Sequence, residues 1–430
     1  MMRRHYLLLS AIMLIASLGM NAQTAREVAD KMIPGINLGN TLEACNCSWL
    51  SNKLDYETGW QPTKTTQKII DYYKELGFKS VRIPVAWYVH TSGSNYTIDS
   101  AWMNRVKQIV DYCVNSGLYV VLNDHWDSGW VENSFDDTSE KNVAEKCSIM
   151  KRLWTQIANR FKYYDEHLIF AGLNEPNSDN ATKVKALLQY EQAFIDAVRS
   201  TGGNNATRVL AVQGPNTDID RTCDLYDIGL LNDSAEDALL LEVHFYGPYN
   251  FAQMMKDEDW GKMAYYWGSG NHMRTSTHNA TWGEEKWVEG QFAKMKKFTE
   301  KGIPVIIGEY GAEWREMPAG ESQMKHDASV ELWYKTVTES AIKNGCVPMV
   351  WDVNSPRTIV NRATLTINCQ PGYDGIMAGL QAAEAAATDV RLIPTVCHVP
   401  SGMKYNLSGC PVKDDYHGIV IQNGVKYYIP

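Results

Sequence analysis

Along most of the chain, short apolar runs rich in Val, Ile and Leu alternate with longer stretches in which apolar positions recur every three or four residues. The short runs show no polar face, the pattern of strands covered on both sides in a parallel sheet. They fall at residues 35–40, 80–85, 119–123, 168–174, 208–213, 239–245, 304–308 and 347–351. The helical period predicts helices over 64–76, 101–115, 145–161, 184–200, 287–299, 330–344 and 376–387, with Gly77 and Gly117 as stops. A short amphipathic helix over 25–32 leads into the first run. Strand and helix repeated in this way predict an α/β fold, a (β/α)8 TIM barrel.

Two regions break the alternation. Residues 247–285 are rich in Trp, Tyr and Met and are expected to form an insertion on the face where the loops after the strands contact substrate. After residue 390 Pro, Gly and Ser become more frequent, and Asn423-Gly424 stands between two apolar runs, a strong hairpin signal. The expected organisation is a barrel domain over 23–390 and a small C-terminal β appendage over 391–430. At the other end, Arg3, Arg4 and His5 precede an apolar run over 6–20 and small residues near Ala22. That is the pattern of a secretory signal peptide, 1–22, and no later segment is apolar for long enough to span a bilayer.

Composition narrows the partners. A formal net charge of −9 argues against nucleic acid or an anionic membrane surface. The 14 Trp and 23 Tyr exceed what a core needs and lean toward carbohydrate, whose flat faces stack on exposed rings. Nine cysteines in an exported chain leave at least one without an intramolecular partner. Cys45 and Cys47 are too close to bridge easily, Cys113 and Cys346 read as buried thiols, and Cys369, Cys397 and Cys410 lie in loops where they could pair.

The candidate chemistry stands at the carboxyl ends of the predicted strands. Val305 to Ile307 run into Gly308-Glu309-Tyr310-Gly311, and Leu168 to Leu173 run into Asn174-Glu175-Pro176. In one parallel barrel, Glu309 and Glu175 would face each other across the mouth, as two carboxylates do for cleaving a glycosidic bond. Asn40, Arg82, His125, His244 with Tyr246, and Trp351 occupy matching strand ends. The histidines are isolated, so neither a metal site nor a cofactor is expected.

The motifs GINLGNTLEA at 35–44, VRIPVAW at 81–87, LNEP at 173–176, VHFYGP at 243–248 and IPVIIGEYGA at 303–312 resemble glycoside hydrolase family 5, of the retaining clan A barrels. The resemblance spans roughly residues 35–387. It implies a secreted endo-β-1,4-glucanase, cellulase-like, with Glu175 as general acid/base and Glu309 as nucleophile, ionised beside Arg82 and Tyr246. It also implies Asn174 on the sugar 2-hydroxyl, His244 beside the acid/base, His125 at the cleaved sugar, Trp351 as stacking floor, and Asn40 with Glu43 at the neighbouring sugar. Two positions depart from the related sequences: Trp126 stands where a second histidine is usual, and Val353-Asn354 follow Trp351-Asp352. Both bear on sugar identity, so the alternatives are hydrolysis of xyloglucan, glucomannan or mannan, decided by loop residues such as Trp126, Trp260, Trp267 and Trp282. A catalytically inactive carbohydrate-binding barrel would be expected to lack a carboxylate, and none is missing. The tail, with YNLSGCPV at 405–412, resembles the sorting or attachment segment of many secreted Bacteroidetes proteins. The expectation is thus a monomer acting on a β-linked polysaccharide, outside the cell or at the surface of a bacterium.

Overall fold

The computed structural model describes residues 23–392 and, after them, 404–406, 411–413, 416–422 and 425–429. The expected signal peptide lies outside the described residues. Eight strands close a parallel barrel: β1 (Gly35–Asn37), β2 (Ser80–Ile83), β3 (Tyr119–Asn123), β4 (Leu168–Ala171), β5 (Leu210–Gln213), β6 (Leu239–Phe245), β7 (Val305–Tyr310) and β8 (Cys346–Val350). Each pairs with the next, and β8 returns to β1 with Ile36 opposite Val350. A helix follows every strand: α1 (Gln67–Glu75), α2 (Ser100–Asn115), α3 (Glu140–Arg160), α4 (Ala181–Ser200), α5 (Ile219–Leu225), α6 (Glu285–Ala293), α7 (Gln323–Lys343) and α8 (Gln370–Leu392). The (β/α)8 barrel expected from the alternation is therefore present, and all eight expected runs contribute a strand.

Helix boundaries differ from expectation where the first turn is polar. α3 starts at Glu140 because Ser139 accepts from the Asn142 N–H, although Glu140, Lys141 and Asn142 carry no apolar period. Asn180 caps α4 and Ser322 caps α7 in the same way. α5 was not expected at all: it is short, and Asp218 starts it by accepting from the Arg221 N–H at 2.8 Å. The expected helix over 287–299 is split into α6 and a separate one-turn α-helix over Lys296–Thr299.

Period-two alternation divides the strand residues between two cores. Val120, Leu122, Leu241, Val243, Val305 and Ile307 face the helices. Tyr119, Val121, Ile169, Ala171, Leu240, Ile306, Val347 and Met349 fill the barrel interior. Ala25, Val28 and Ala29 of the first short helix, together with Met32, pack into the same interior cluster. This helix is fixed by a capping box in which Thr24 and Glu27 exchange hydrogen bonds.

Strand β7 breaks the alternation at one point. Against β6 the register runs Val243 opposite Ile307 and then His244 opposite Glu309, so Gly308 is an extra residue. Against β8 the register shifts in the same place. Without this bulge Glu309 would follow Val305 and Ile307 toward the helices. With it, Tyr310 packs outward on Trp333 and Tyr334 and Glu309 turns into the barrel mouth.

Two short antiparallel hairpins, Thr91–Ser92 with Thr97–Ile98 and Val360–Asn361 with Thr366–Ile367, lie in the loops after β2 and β8. The chain divides into two compact units at Leu380, within α8. The second unit contains a four-stranded antiparallel sheet, the expected β appendage, built from β9 (Lys404–Asn406), β10 (Pro411–Val412), β11 (Gly418–Gln422) and β12 (Val425–Ile429) in the order β10-β9-β11-β12. Gln422 pairs with Val425, leaving residues 423 and 424, outside the described residues, to join the strands. Cys45, Cys47, Cys113, Cys346 and Cys369 carry free, buried thiols, while Cys397 and Cys410 fall outside the described residues.

Candidate active site

Strand ends β1, β2, β4, β6 and β7 bring an ionic cluster together at the barrel mouth. Arg82 points inward from β2 and is fully buried. Its Nη1 lies 2.9 Å from Glu309 Oε1 and donates to Asn37 Oδ1 at 3.0 Å, and its Nη2 donates to Asn174 Oδ1 at 2.8 Å. Its Nε lies 2.9 Å from Glu242 Oε1 in a second ion pair. Tyr246 donates to the other Glu309 oxygen at 2.8 Å. Burial, Glu309 and Glu175 hold the Tyr246 phenol well above its usual range, so it stays a donor. Both Glu309 oxygens are thus engaged by donors, and the side chain is buried.

Glu175, at the end of β4, differs in being half-open to the cleft, with 47% of its side chain accessible. Its backbone N–H donates to Glu132 Oε1 at 3.0 Å. Its Oε1 lies 2.8 Å from His244 Nδ1. That nitrogen is also 3.7 Å from Glu309 Oε2, and His244 Nε2 is 3.3 Å from Glu242 Oε1. Both ring nitrogens face carboxyl oxygens, and with Glu175 and Glu242 both ionised these accept only, so that state calls for protons on both nitrogens. Burial opposes the charge, yet Glu309, Glu175 and Glu242 outweigh it and raise His244 to about 10. In return, burial pushes Glu175 up, but His244 and Arg82 bring it below its ordinary value. Each charge thus favours the other, which pulls the two groups toward a carboxylate–imidazolium pair.

His125 behaves oppositely. Burial, against the pull of Glu309, lowers it to about 3, so it is neutral. Asn123 accepts from the Val85 N–H through Oδ1, which turns its NH2 toward His125 Nδ1 at 3.2 Å. Nδ1 therefore accepts, leaving Nε2–H as a donor. The His125 ring lies parallel to Trp351, 5.9 Å between centroids and 6° between planes. Trp126 is partly exposed beside it. Asn40 takes a left-handed conformation, φ 55°, in the loop after β1. Glu43 is buried, with its oxygens on the backbone N–H groups of Asn40 and Thr41, and burial raises it to about 7 despite those bonds. It faces its own loop and holds the turn that presents Asn40.

Other participants were not singled out in the sequence. Glu242, wholly buried, receives Arg82, His244 and, at 2.7 Å, Gln213 Nε2. A charged residue inside the apolar run of β6 was a visible signal, since a buried carboxylate requires cationic or donor partners. Asn37 donates to the Gly308 carbonyl at 2.8 Å, pinning the bulge. Glu132, raised by burial to about 8, sits in a polar turn that gave no signal.

Of the loop tryptophans expected to meet substrate, Trp267 does not: it is fully buried and donates to the Gly283 carbonyl at 2.9 Å, packing the insertion's core. Sequence cannot separate a buried ring from an exposed one in an irregular loop. Trp260 is 68% exposed and, with Trp282, lines a pocket of about 570 Å³ that also includes Pro248, Asn250, Lys262 and Asn279. Tyr249 lies beside Trp260 at 6.0 Å.

Glu175, His244 and Glu309 bring one donor atom each within 4.8 Å of one another, close enough for a cation. The local charge is already balanced by Arg82 and His244, and both Glu309 oxygens have donors, so these residues do not fit a metal centre. The spacing instead suits a nucleophilic carboxylate opposite a proton-exchanging one, about 5 to 5.5 Å apart in retaining enzymes.

A family model described as Cellulase (glycosyl hydrolase family 5) matches residues 43–356. A xyloglucan-specific endo-β-1,4-glucanase of Bacteroides ovatus is 33% identical over 370 residues, covering 84% of this chain and 71% of that protein. Endoglucanase A of Paenibacillus barcinonensis is 34% identical over 391 residues, covering 84% of this chain and 92% of that protein. Among solved structures, a xyloglucan-specific β-1,4-glucanase from a ruminal metagenomic library, in complex with XXLG, superposes with a TM-score of 0.77 at 43% identity, covering 84% of this chain and 97% of that one.

Proposed function

The chain belongs to glycosyl hydrolase family 5 and is an endo-β-1,4-glucanase, and from that premise we propose that Glu309 and Glu175 carry a retaining double displacement. The observation that carries this reading is the approach of the two carboxylates to within 4.8 Å, one buried and clamped by donors, the other open to the cleft. Glu309, fixed by Arg82 and Tyr246, attacks the anomeric carbon while Glu175 gives a proton to the leaving oxygen. Glu175 then takes a proton from the water that hydrolyses the glycosyl-enzyme. Asn174, oriented by Arg82, hydrogen-bonds the 2-hydroxyl, and His125 donates through Nε2 over the Trp351 floor. Asn40, presented by Glu43, and Trp126 meet the adjacent sugars.

The preferred substrate is read as xyloglucan, supported by the 43% identity to the xyloglucan-specific enzyme. β-Glucan is the second substrate, supported by the endoglucanase relatives. Arg3 and Arg4 ahead of the apolar run 6–20 support an exported enzyme, and no helix among the described residues is long and apolar enough to cross a membrane. Residues 23–390 form the catalytic domain in this reading, and 391–430 serve attachment or sorting. A barrel of this size needs no partner subunit, which favours a monomer.

The test combines reducing-sugar release from xyloglucan, barley β-glucan, carboxymethylcellulose, glucomannan and mannan with proton NMR of the first products. Xyloglucan is expected to be cleaved fastest, and new reducing ends should appear as the β anomer before mutarotation. First products in the α form would reject the double displacement, and preference for mannan would reject the substrate reading.

The insertion pocket gives a second expectation. Pro248, two residues beyond Tyr246 in the chain, forms one wall, and the exposed Trp260 and Trp282 rings are read as a platform for a distal part of the substrate. Trp260→Ala should raise KM for xyloglucan about three- to tenfold, the equivalent of one lost ring contact. Because Trp260 is exposed, Tm should change little. An unchanged KM would show that the branched chain does not reach this pocket.

A further inference from the structure

Glu242 is absorbed by no step of the double displacement, although it touches both halves of the machinery. It is wholly buried and met on three sides: by Arg82 in an ion pair, with Nε at 2.9 Å, by His244 Nε2 at 3.3 Å and by Gln213 Nε2, which donates at 2.7 Å. Space for it is made by Gly308, where a Cβ would stand 1.9 Å from Glu242 Oε1. The residue that creates the β7 bulge thus also admits the carboxylate beneath it. Gln213 is oriented in turn, since its Oε1 accepts from the Leu173 N–H at 2.9 Å.

We propose, resting on the reading of Glu175 as acid/base, that Glu242 is a positioning residue that keeps His244 cationic, so that the proton Glu175 delivers is stored on the Glu175–His244 pair until substrate arrives. The geometry supports this directly. With Glu242 and Glu175 both ionised, a neutral imidazole would present one bare nitrogen to a carboxylate oxygen, since the two occupy both nitrogens. In the free enzyme the proton resides on His244 Nδ1. When a sugar covers the open side of Glu175 and removes its water, the proton moves from Nδ1 to Glu175 Oε1. It then passes to the glycosidic oxygen as the C–O bond breaks and a Glu309 oxygen bonds to the anomeric carbon. In the second step Glu175 takes a proton from water, hydroxide oxygen replaces Glu309 at that carbon, and the proton returns to the pair.

The charged and titratable groups facing His244 are Glu175 after β4, Glu309 on β7, Glu242 on its own strand, Arg82 on β2 and neutral His125 after β3, with Tyr246 beside Glu309 and Glu132 behind Glu175. Removing one negative charge from this set loosens the hold on the stored proton. The alkaline limb of kcat/KM should therefore move to lower pH.

The experiment compares kcat/KM against pH for the full-length wild type and Glu242→Gln, which keeps shape but not charge. It is paired with ¹⁵N spectra of histidine-labelled wild type, His244 being assigned with His244→Gln. The variant is expected to lose its alkaline limb at least about one pH unit earlier, and wild-type His244 should show two protonated ring nitrogens at pH 8. A folded variant with lower kcat but an unmoved limb would reduce Glu242 to a structural support and overturn the proposal. Neutral His244 at pH 7 in the wild type would overturn it as well, and this spectrum decides the matter if Glu242→Gln does not fold. The spectrum needs no turnover, so its outcome is separate from that of the anomer experiment.

Discussion

Glu309→Ala is expected to lower kcat by about 10⁴-fold or more on every polysaccharide the enzyme accepts, because no other group can form the glycosyl-enzyme bond. Glu175 approaches within 4.8 Å but lies on the proton-exchanging side with His244, and Glu242 is locked beneath the floor. The variant should still fold, since Arg82 keeps Glu242, Asn174 and Asn37 as partners. The cavity it leaves can admit azide. With Glu175 still able to protonate the leaving group, azide should attack the anomeric carbon directly and give an α-glycosyl azide. Rescue that yields the β product, or residual activity near wild type, would remove Glu309 from the nucleophile's place.

Glu175→Ala should produce a different pattern, and the contrast separates the two glutamates more sharply than either loss alone. Polysaccharide cleavage should fall by about 10²- to 10⁴-fold, the usual contribution of a general acid. A dinitrophenyl cellooligosaccharide needs no proton on its leaving group, so its first step should remain fast. Deglycosylation then lacks its base, and a burst of phenolate followed by slow turnover is expected. Azide should restore turnover by attacking the glycosyl-enzyme from the open face, giving the β-glycosyl azide. Equal losses on both kinds of substrate would contradict the acid/base assignment. If Glu175 also draws its proton from His244, the burst phase should be indifferent to His244, whereas polysaccharide cleavage should not.

Much of this arrangement is legible in the residues themselves. The barrel strands stand out because both faces are covered, which leaves near-continuous apolar runs such as Val305 to Ile307. Glu309 and Glu175 stand out because charge ends those runs abruptly. What remained hidden depends on partners distant in sequence. Ser139 and Asn180 cap their helices through side-chain geometry, not periodicity. Glu242 was visible as an anomaly within β6, but its meaning required Arg82 and Gln213 from other strands. Trp267 and Trp260 are alike as letters in one loop, yet one fills a core and the other meets solvent. Glu309 was expected at the mouth from its place at the strand end, but the bulge that turns it there could not be read, because strict alternation along β7 puts Tyr310 on the face of Ile306 and Gly308.

That last point gives strand length a role of its own. A substitution at Glu309 deletes the carboxylate, whereas an insertion or deletion in β7 would mis-aim it. With one residue fewer between Val305 and Glu309, the pairing that now skips Gly308 would close up, Gly308's vacant space would be lost, and Glu242 would meet a side chain. Loops elsewhere on the mouth can lengthen or shorten as substrates change. In β7 the residue count, and not only the identity of Gly308 and Glu309, sets where the carboxylate points.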